Sequence, residues 1–523
     1  MTDQKEQYRS VDTGYFSLPE GNVISYNTYR DLYQVYSTND VHLLSHCKEF
    51  RTLKSHAKAF IYKRQAQVLS QPSRFSVGNL QKYLRVKLLE AGLDFPISNS
   101  QIRKVQQQLE QFARDGFLVS GTELRNSVLK AVSSFNISIE GRTTIQNIGI
   151  PTRNRGELLI HCIKALLEET QLNNRTCTLH IIDDSESNTN SDRHRGIVKQ
   201  LCKNNNSDLF WTDRQHRYSL VRRIAKKSET PPDIAAFALL GDPRCNIRTG
   251  SSRNTLLVLS AGEPSLQIDD DILCRMIPSP WKEDGIALAS ESECRRYEFY
   301  KNNESIELDQ SDRIKEDFFS LHETMLGKHP AELIRDEPNI NIDKLGVRLL
   351  DKLGKPDTRI VTSCLGSWGD SGMYRHWQRL GLEGETFQRL VRNKLLYQDF
   401  LCTRLLLRTP AQTTIGDSPF CMAMNIGLDT SRLLPPFMPV QRNQDGIFGQ
   451  LLYLCFKQAC RGYLPHAIIH NPPDRPSQVD LTFALSVGPL RTPDILQAIL
   501  WSLYQWPFGD DPAKNLFVVG SGC

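Results

Sequence analysis

Apolar positions recur at helical spacing through the first 135 residues. Val41, Leu44, Cys47 and Phe50 fall on one stripe, as do Ile102, Val105, Leu109 and Phe112. The second stripe runs into "DGFLVSG", where Gly116 sits as a helix stop and "FLVS" has the make-up of a short strand. Residues 1–135 are therefore expected to form a small, largely helical domain. Either a winged helix or a plain helical cap satisfies that pattern.

From Thr143 the period changes to strand–helix alternation. "IQNIGIPTRN" is an apolar strand that ends in polar residues. The helix after it carries Leu158, Leu159, Cys162, Ile163, Leu166 and Leu167 on one face. "TLHIIDDSES" is a second strand, ending in Asp183 and Asp184. "IAAFALLG" reads as a third. A helix near "TGSSRNTLLVLSAG" leads into the strand "SLQI" and three acids, Asp269, Asp270 and Asp271. Repeated units of this kind predict an α/β fold with a mostly parallel sheet and helices on both faces. In such sheets ligands lie beyond the carboxyl ends of the strands. That sends Thr152, Arg153, Asp183, Asp184 and the acid triplet to one rim.

Residues 278–356 are charged and weakly periodic, as expected of an insertion or lid. "RIVTSCLGSWGDSGMY" returns to strand and then to a loop, with Gly366, Gly369 and Gly372 allowing close backbone approach to a ligand. Next come a strand, a proline-rich loop, a helix starting near Asp445, and "LPHAIIHNPP" with His466 and His470. The stretch 477–523 is apolar enough to pack as a helical extension. The chain has no internal repeat.

Composition narrows the classes. With 523 residues and a net charge of +5, the chain is long enough for two or three domains and near neutral for its size. It lacks a basic face with interleaved aromatics, so nucleic acid is not expected as a partner. The opening "MTDQKEQYRS" lacks the apolar core of a secretory signal. No run approaches the roughly 18 apolar residues of a membrane span. Thirteen scattered cysteines with no CxxC pair fit reduced thiols, and a cytoplasmic location is expected.

The triplet carries the strongest chemistry. Acids at alternate positions of an extended segment share a side, so Asp269 and Asp271 are expected to converge while Asp270 points away. Oxygen ligands of this kind suit Mg²⁺ or Mn²⁺, which commonly also hold substrate phosphates.

Five segments in order resemble a glycosyltransferase of the GT-A (Rossmann-like) fold, closest to the family-2 type that uses nucleotide-sugar donors. They are "IPTRNR", "IIDDS", "SSRN" with "IDDD", "QRNQDGIFG" and "HNPP", spread over residues 143–476. The resemblance implies a donor site of Pro151, Thr152, Arg153, Asp183, Asp184, Arg253, Asn254, Asp269 and Asp270. It implies a Mn²⁺ or Mg²⁺ held by Asp269, Asp271 and His470, with His470 favoured over His466 because the proline pair follows it. Asp445 would be the catalytic base, since Gln444 stands where the family usually carries Glu. The implied reaction is metal-dependent, inverting transfer from a nucleotide-diphosphate sugar to an acceptor hydroxyl. A nucleotidyltransferase of related fold, or a non-catalytic sugar- or peptide-binding protein, are the competing readings. Residues 1–135 weakly resemble winged-helix domains that read peptides, which makes a peptide or protein acceptor an expectation.

Overall fold

In the computed structural model the described residues are 6–70, 97–133, 144–186, 188–290, 295–300, 316–371, 384–470, 475–485, 490–504, 506 and 508–522. The chain divides into two compact units. Residues 1–134 with 345–351 form one, and the remainder forms the other.

In the first unit, β1 (Tyr8–Arg9) is followed by an antiparallel meander of β2 (Thr13–Ser17), β3 (Asn22–Asn27) and β4 (Leu32–Ser37). Helices α1 (Thr38–Ser45), α2 (Leu53–Ser70), α3 (Asn99–Arg114) and α4 (Gly121–Ser133) follow, with β5 (Val119–Ser120) pairing back to β1. Leu44, Leu53, Leu109, Phe112, Phe117 and Leu118 share the core. Ile102, Leu109 and Phe112 bury the expected stripe of α3, and Gly116 ends that region at φ +83°. The first expected stripe needs correcting. Its helix stops at Ser45, so Cys47 is buried from the segment beyond it and not from a helical turn. The meander was missed because its buried positions on β3 are Val23, Ser25 and Asn27, only one of them apolar.

Among the described residues of the second unit, thirteen strands join one sheet. The strands that build the site are β6 (Asn147–Thr152), β7 (Thr178–Asp183), β8 (Asp208–Thr212), β9 (Ser265–Ile268), β10 (Ile272–Pro278), β11 (Ile286–Ala289), β12 (Arg295–Tyr300), β13 (Ile340–Lys344), β14 (Arg359–Asp370), β15 (Leu405–Pro410), β16 (Thr413–Gly416), β17 (Asn425–Leu428) and β18 (Ala459–His470). The main order is β13-β11-β16-β18-β14-β17-β9-β6-β7-β8. β9, β6, β7 and β8 are parallel to one another. β17 runs antiparallel to both β9 and β14, while β14 and β18 are parallel. The unit is thus α/β, a large sheet flanked by helices.

The helices around the first strands are α5 (Gly156–Leu172), α6 (Asn188–Asn204), α7 (Arg214–Ser228), α8 (Pro232–Leu240) and α9 (Thr249–Leu259). Leu159, Cys162, Ile163, Leu166 and Leu167 of α5 are buried as their spacing requires. Two expectations are overturned here. "IAAFALLG" belongs to α8 and not to a strand; a proline opens it and alanines favour it. The third strand is instead β8, "DLFWT".

Gly366 and Gly369 lie inside the twelve-residue β14 and not in a loop. Gly369 has φ +109°, and a Cβ there would overlap the His470 carbonyl oxygen of the neighbouring strand. Close strand packing, and not ligand approach, explains that glycine. Gly372 lies outside the described residues. Among the described residues no helix is long and apolar enough to cross a membrane. After Gln444–Cys455 (α10), the chain adds α11 (Thr492–Ser502) and α12 (Pro512–Gly522).

Candidate active site

The sheet opens its own cavity. The β6–β9 ladder ends at Gly149 opposite Gln267, whereas β6–β7 continues to Thr152 opposite Asp183. Beyond Gly149 the strands part. Pro151, which lacks an N–H, is tolerated in β6 because its β9 side is no longer paired. The cavity at this rim has a volume of about 680 Å³. It is lined by Pro151, Thr152, Arg153, Asp184, Arg253, Asp269, Asp270, Asp271, Asp445 and His470. Of the donor-site residues that the resemblance implies, Asp183 and Asn254 do not line it.

Register explains how the acids meet His470. β9 is held by β17, with Asn425 opposite Ile268 and the Asp269 N–H donating to the Met424 carbonyl at 3.0 Å. The chain then turns, Ile272 N–H donating back to Asp269 O at 3.3 Å, and β10 leaves antiparallel to β18 with Ile272 opposite His470. His470 Nε2 thereby lies 3.2 Å from Asp271 Oδ1. Its Nδ1 is 2.7 Å from the Asp370 carbonyl oxygen, which can only accept, so Nδ1 carries a proton and Nε2 is aimed at Asp271. His466 lies outside the cavity, near Glu316 (3.1 Å) and Lys282 (3.3 Å).

The turn also corrects the expected alternation. Asp269–Asp271 are not extended, so Asp270 does not point away. Arg155 Nη1 donates to Asp270 Oδ1 and Asp271 Oδ2, each at 3.0 Å, and Thr152 Oγ1 donates to Asp270 Oδ2 at 2.7 Å. Asp269 turns to Arg253 and keeps 32% of its side chain exposed. Burial and the adjacent Asp271 carboxylate push Asp270 up to about 7, against the pull of Arg155 and Thr152. Burial alone would raise Asp271, but His470 and Arg155 hold it well below the usual carboxylate range. For His470 burial is outweighed in the same way, and the Asp271 carboxylate raises it above its ordinary value.

The β7 end is built differently. Asp184 accepts from Arg214 (3.2 Å), Arg217 (2.9 Å) and Arg248 (3.0 Å), with Arg153 at 4.0 Å. Arg217 is fully buried, which pushes it down to about 10, and its Nε also donates to the Leu239 carbonyl at 2.9 Å. Asp183 accepts from Ser185 N–H at 2.9 Å and from the Ser191 hydroxyl. Asn254 is structural: its amide donates to Ala238 O and Phe437 O and accepts from Phe437 N–H, tying α9 to the proline-rich loop.

Asp445 sits in the first turn of α10. Its two oxygens accept from Ala423 N–H (3.3 Å) and Gly446 N–H (3.0 Å), and the residue stays partly exposed in the cavity. Sequence reasoning missed Arg155, Arg214, Arg217 and Arg248. Signals were present: Arg155 follows Arg153 by two, and Arg214 and Arg217 share a helix face at i, i+3. It also missed the α11 wall of Asp494, Gln497 and Trp501, again at helical spacing and lining the same cavity.

Among the described residues, no three His, Cys, Asp or Glu side chains already converge as a metal cage. Asp271 and His470 form a pair, with Asp270 and Asp269 one and two residues before Asp271. That donor set fits a Mg²⁺-like ion, which typically takes one or two carboxylates and completes its shell with water and substrate phosphates. No family model and no curated protein matches the chain.

Proposed function

We propose that this cavity transfers a sugar from a nucleotide-diphosphate sugar to an acceptor hydroxyl, on a sheet of the GT-A kind. One observation carries the proposal. A buried acid turn, an arginine-rich lining and a separate helix-borne carboxylate, Asp445, face a single cavity at the sheet rim. Eight arginines and six aspartates line it, an excess of positive charge that suits a diphosphate. Asp271 and His470, with Asp269 in reach, would hold Mn²⁺ or Mg²⁺, whose charge would be spread over the leaving diphosphate. Arg153 and Arg155 would bind and orient the phosphates. Asp445 would take the acceptor's proton as the anomeric carbon is attacked. A single displacement of this kind inverts that centre.

For residues 1–135 the readings stay a winged-helix acceptor-recognition module or a plain helical cap; the short strand Val119–Ser120 after α3, paired with β1, is the helix-to-strand order that supports the first.

A thermal-shift panel of nucleotide-diphosphate sugars with and without Mn²⁺ tests the proposal. A ligand that binds only the folded state raises Tm. At least one donor should stabilise the protein in a Mn²⁺-dependent way, and Asp271→Asn should abolish that dependence while the protein still unfolds cooperatively. A panel in which no donor stabilises the wild type would overturn it.

A further inference from the structure

The cavity has an aromatic wall at the end that bears Asp445. Trp501 of α11 lines the cavity and is 54% exposed, a large apolar surface left uncovered. One face of its indole is stacked on Tyr504, with centroids 4.7 Å apart and planes 20° from parallel, and Tyr504 in turn packs on Tyr453. The exposed area therefore belongs to the ring's other side.

This platform is fixed relative to Asp445. Asn443 Nδ2 donates to Gln497 Oε1 at 2.8 Å, and Thr492 N–H donates to Gln441 Oε1 at 3.0 Å. Gln441 and Asn443 have φ of +65° and +79°, so α11 clasps a loop held in left-handed backbone two residues before Asp445. Trp501 lies one helical turn after Gln497, within neighbouring reach on that face.

We propose that Trp501 is the platform for the acceptor, and that the acceptor is a carbohydrate whose ring packs its C–H face on the indole. A pyranose presents an apolar face rimmed by hydroxyls. Trp501 matches the face, and Gln497, Asp494 and Arg491 supply amide, carboxylate and guanidinium groups for the rim. A phosphate would be drawn to the arginines at the β7 end instead. An extended peptide needs unpaired main-chain groups for augmentation, and a helical wall spends its own internally. Only the word "acceptor" rests on the transferase proposal; glycan binding stands apart from it.

The experiment is a glycan array and calorimetry on the best glycan, using the full chain, Trp501→Ala and Trp501→Phe. Wild type should bind at least one glycan. Trp501→Ala should weaken it by roughly tenfold or more, while Trp501→Phe, which keeps a ring face, should stay within roughly threefold. A wild type that binds no glycan overturns the inference, as do equal affinities for wild type and Trp501→Ala, or capture of a peptide library in place of glycans. Glycan binding that depends on Trp501, without any donor in the thermal-shift panel, would keep the site and remove the transferase.

Discussion

Two strands that flank β6 in one sheet, β7 and β9, end in adjacent aspartates, and the protein treats them in opposite ways. At the end of β7, Asp184 is enclosed by Arg214, Arg217 and Arg248, with Arg153 at 4.0 Å, so its charge is more than balanced inside the fold. At the end of β9, three carboxylates share Arg155, Arg253 and His470, and one of them is pushed up to about 7. The first arrangement organises arginines. The second crowds three carboxylates among three cationic partners, closely enough that one acid, Asp270, is held toward its neutral form. Adjacent acids at a strand end thus carry no fixed meaning; the count of cations packed around them decides between scaffold and site.

The sharpest way to break this contrast is Asp184→Ala. It leaves Arg217 and Arg248 buried without their counter-ion, so stability should fall by roughly 3–5 kcal/mol. Asp270→Asn removes a carboxylate its surroundings already disfavour and should stay within about 1 kcal/mol of wild type. Urea unfolding of both variants measures the difference. Similar midpoints for the two would mean the strand ends are equivalent.

A pH titration of stability comes next in size. His322 is fully buried, its Nε2 is 3.0 Å from Asn425 Oδ1, and Asn425 pairs with Ile268 directly before the acid turn. Burial pulls His322 from the ordinary 6.5 down to about 4. Between those values the unfolded chain binds the proton and the folded one does not, so stability falls as pH is lowered through that window. The loss by pH 4 should be roughly 3 kcal/mol. His322→Gln should flatten that limb of the unfolding profile; an unchanged limb would remove His322 as its source.

Arg155→Met tests whether the β9 acids hold spare charge. Arg155 is 39% exposed and bridges Asp270 and Asp271, where it would compete with an added cation. Its loss should tighten Mn²⁺ binding by calorimetry, by roughly a few-fold given the solvent screening at its tip. Weaker binding would make Arg155 a support of the site and not a competitor. The smallest effect belongs to Glu186→Gln. Glu186 pairs with Arg153 but is 65% exposed, so its removal should change unfolding stability by less than about 0.5 kcal/mol.

The strand-end residues gathered in the cavity were readable because each sat at the end of an apolar run, and strand ends share a rim. Asp271 and His470 are of this kind, whereas Asp445 opens a helix after a polar stretch and was reached through the resemblance alone. What local pattern could not supply was direction. The alternation that separates Asp270 from Asp271 holds only in extended chain, and the chain turns there because β10 must reverse to pair with β18. The run "IAAFALLG" is apolar throughout, so periodicity does not separate buried strand from buried helix; alanines and the Pro231–Pro232 entry were the usable signals. The arginines around Asp184 come from α7 and from the start of α9, separate in sequence and joined only by packing. Trp501 was passed over because an aromatic in a C-terminal amphipathic stretch has no motif to mark it.

β17, placed between β9 and β14, has a consequence for how the protein is made. During synthesis β6, β7, β8 and β9 emerge long before Asn425–Leu428. Until that segment leaves the ribosome, β9 has one edge with no ladder to complete it. The acid turn at its end then lacks the Met424 carbonyl that receives Asp269 N–H, and His470 arrives later still. The half-made sheet is a species with an open edge, the kind that pairs wrongly with other chains. Crowded carboxylates at the tip of that edge repel a second copy of themselves, so the charge placed there also guards the nascent chain while it waits for its last strands.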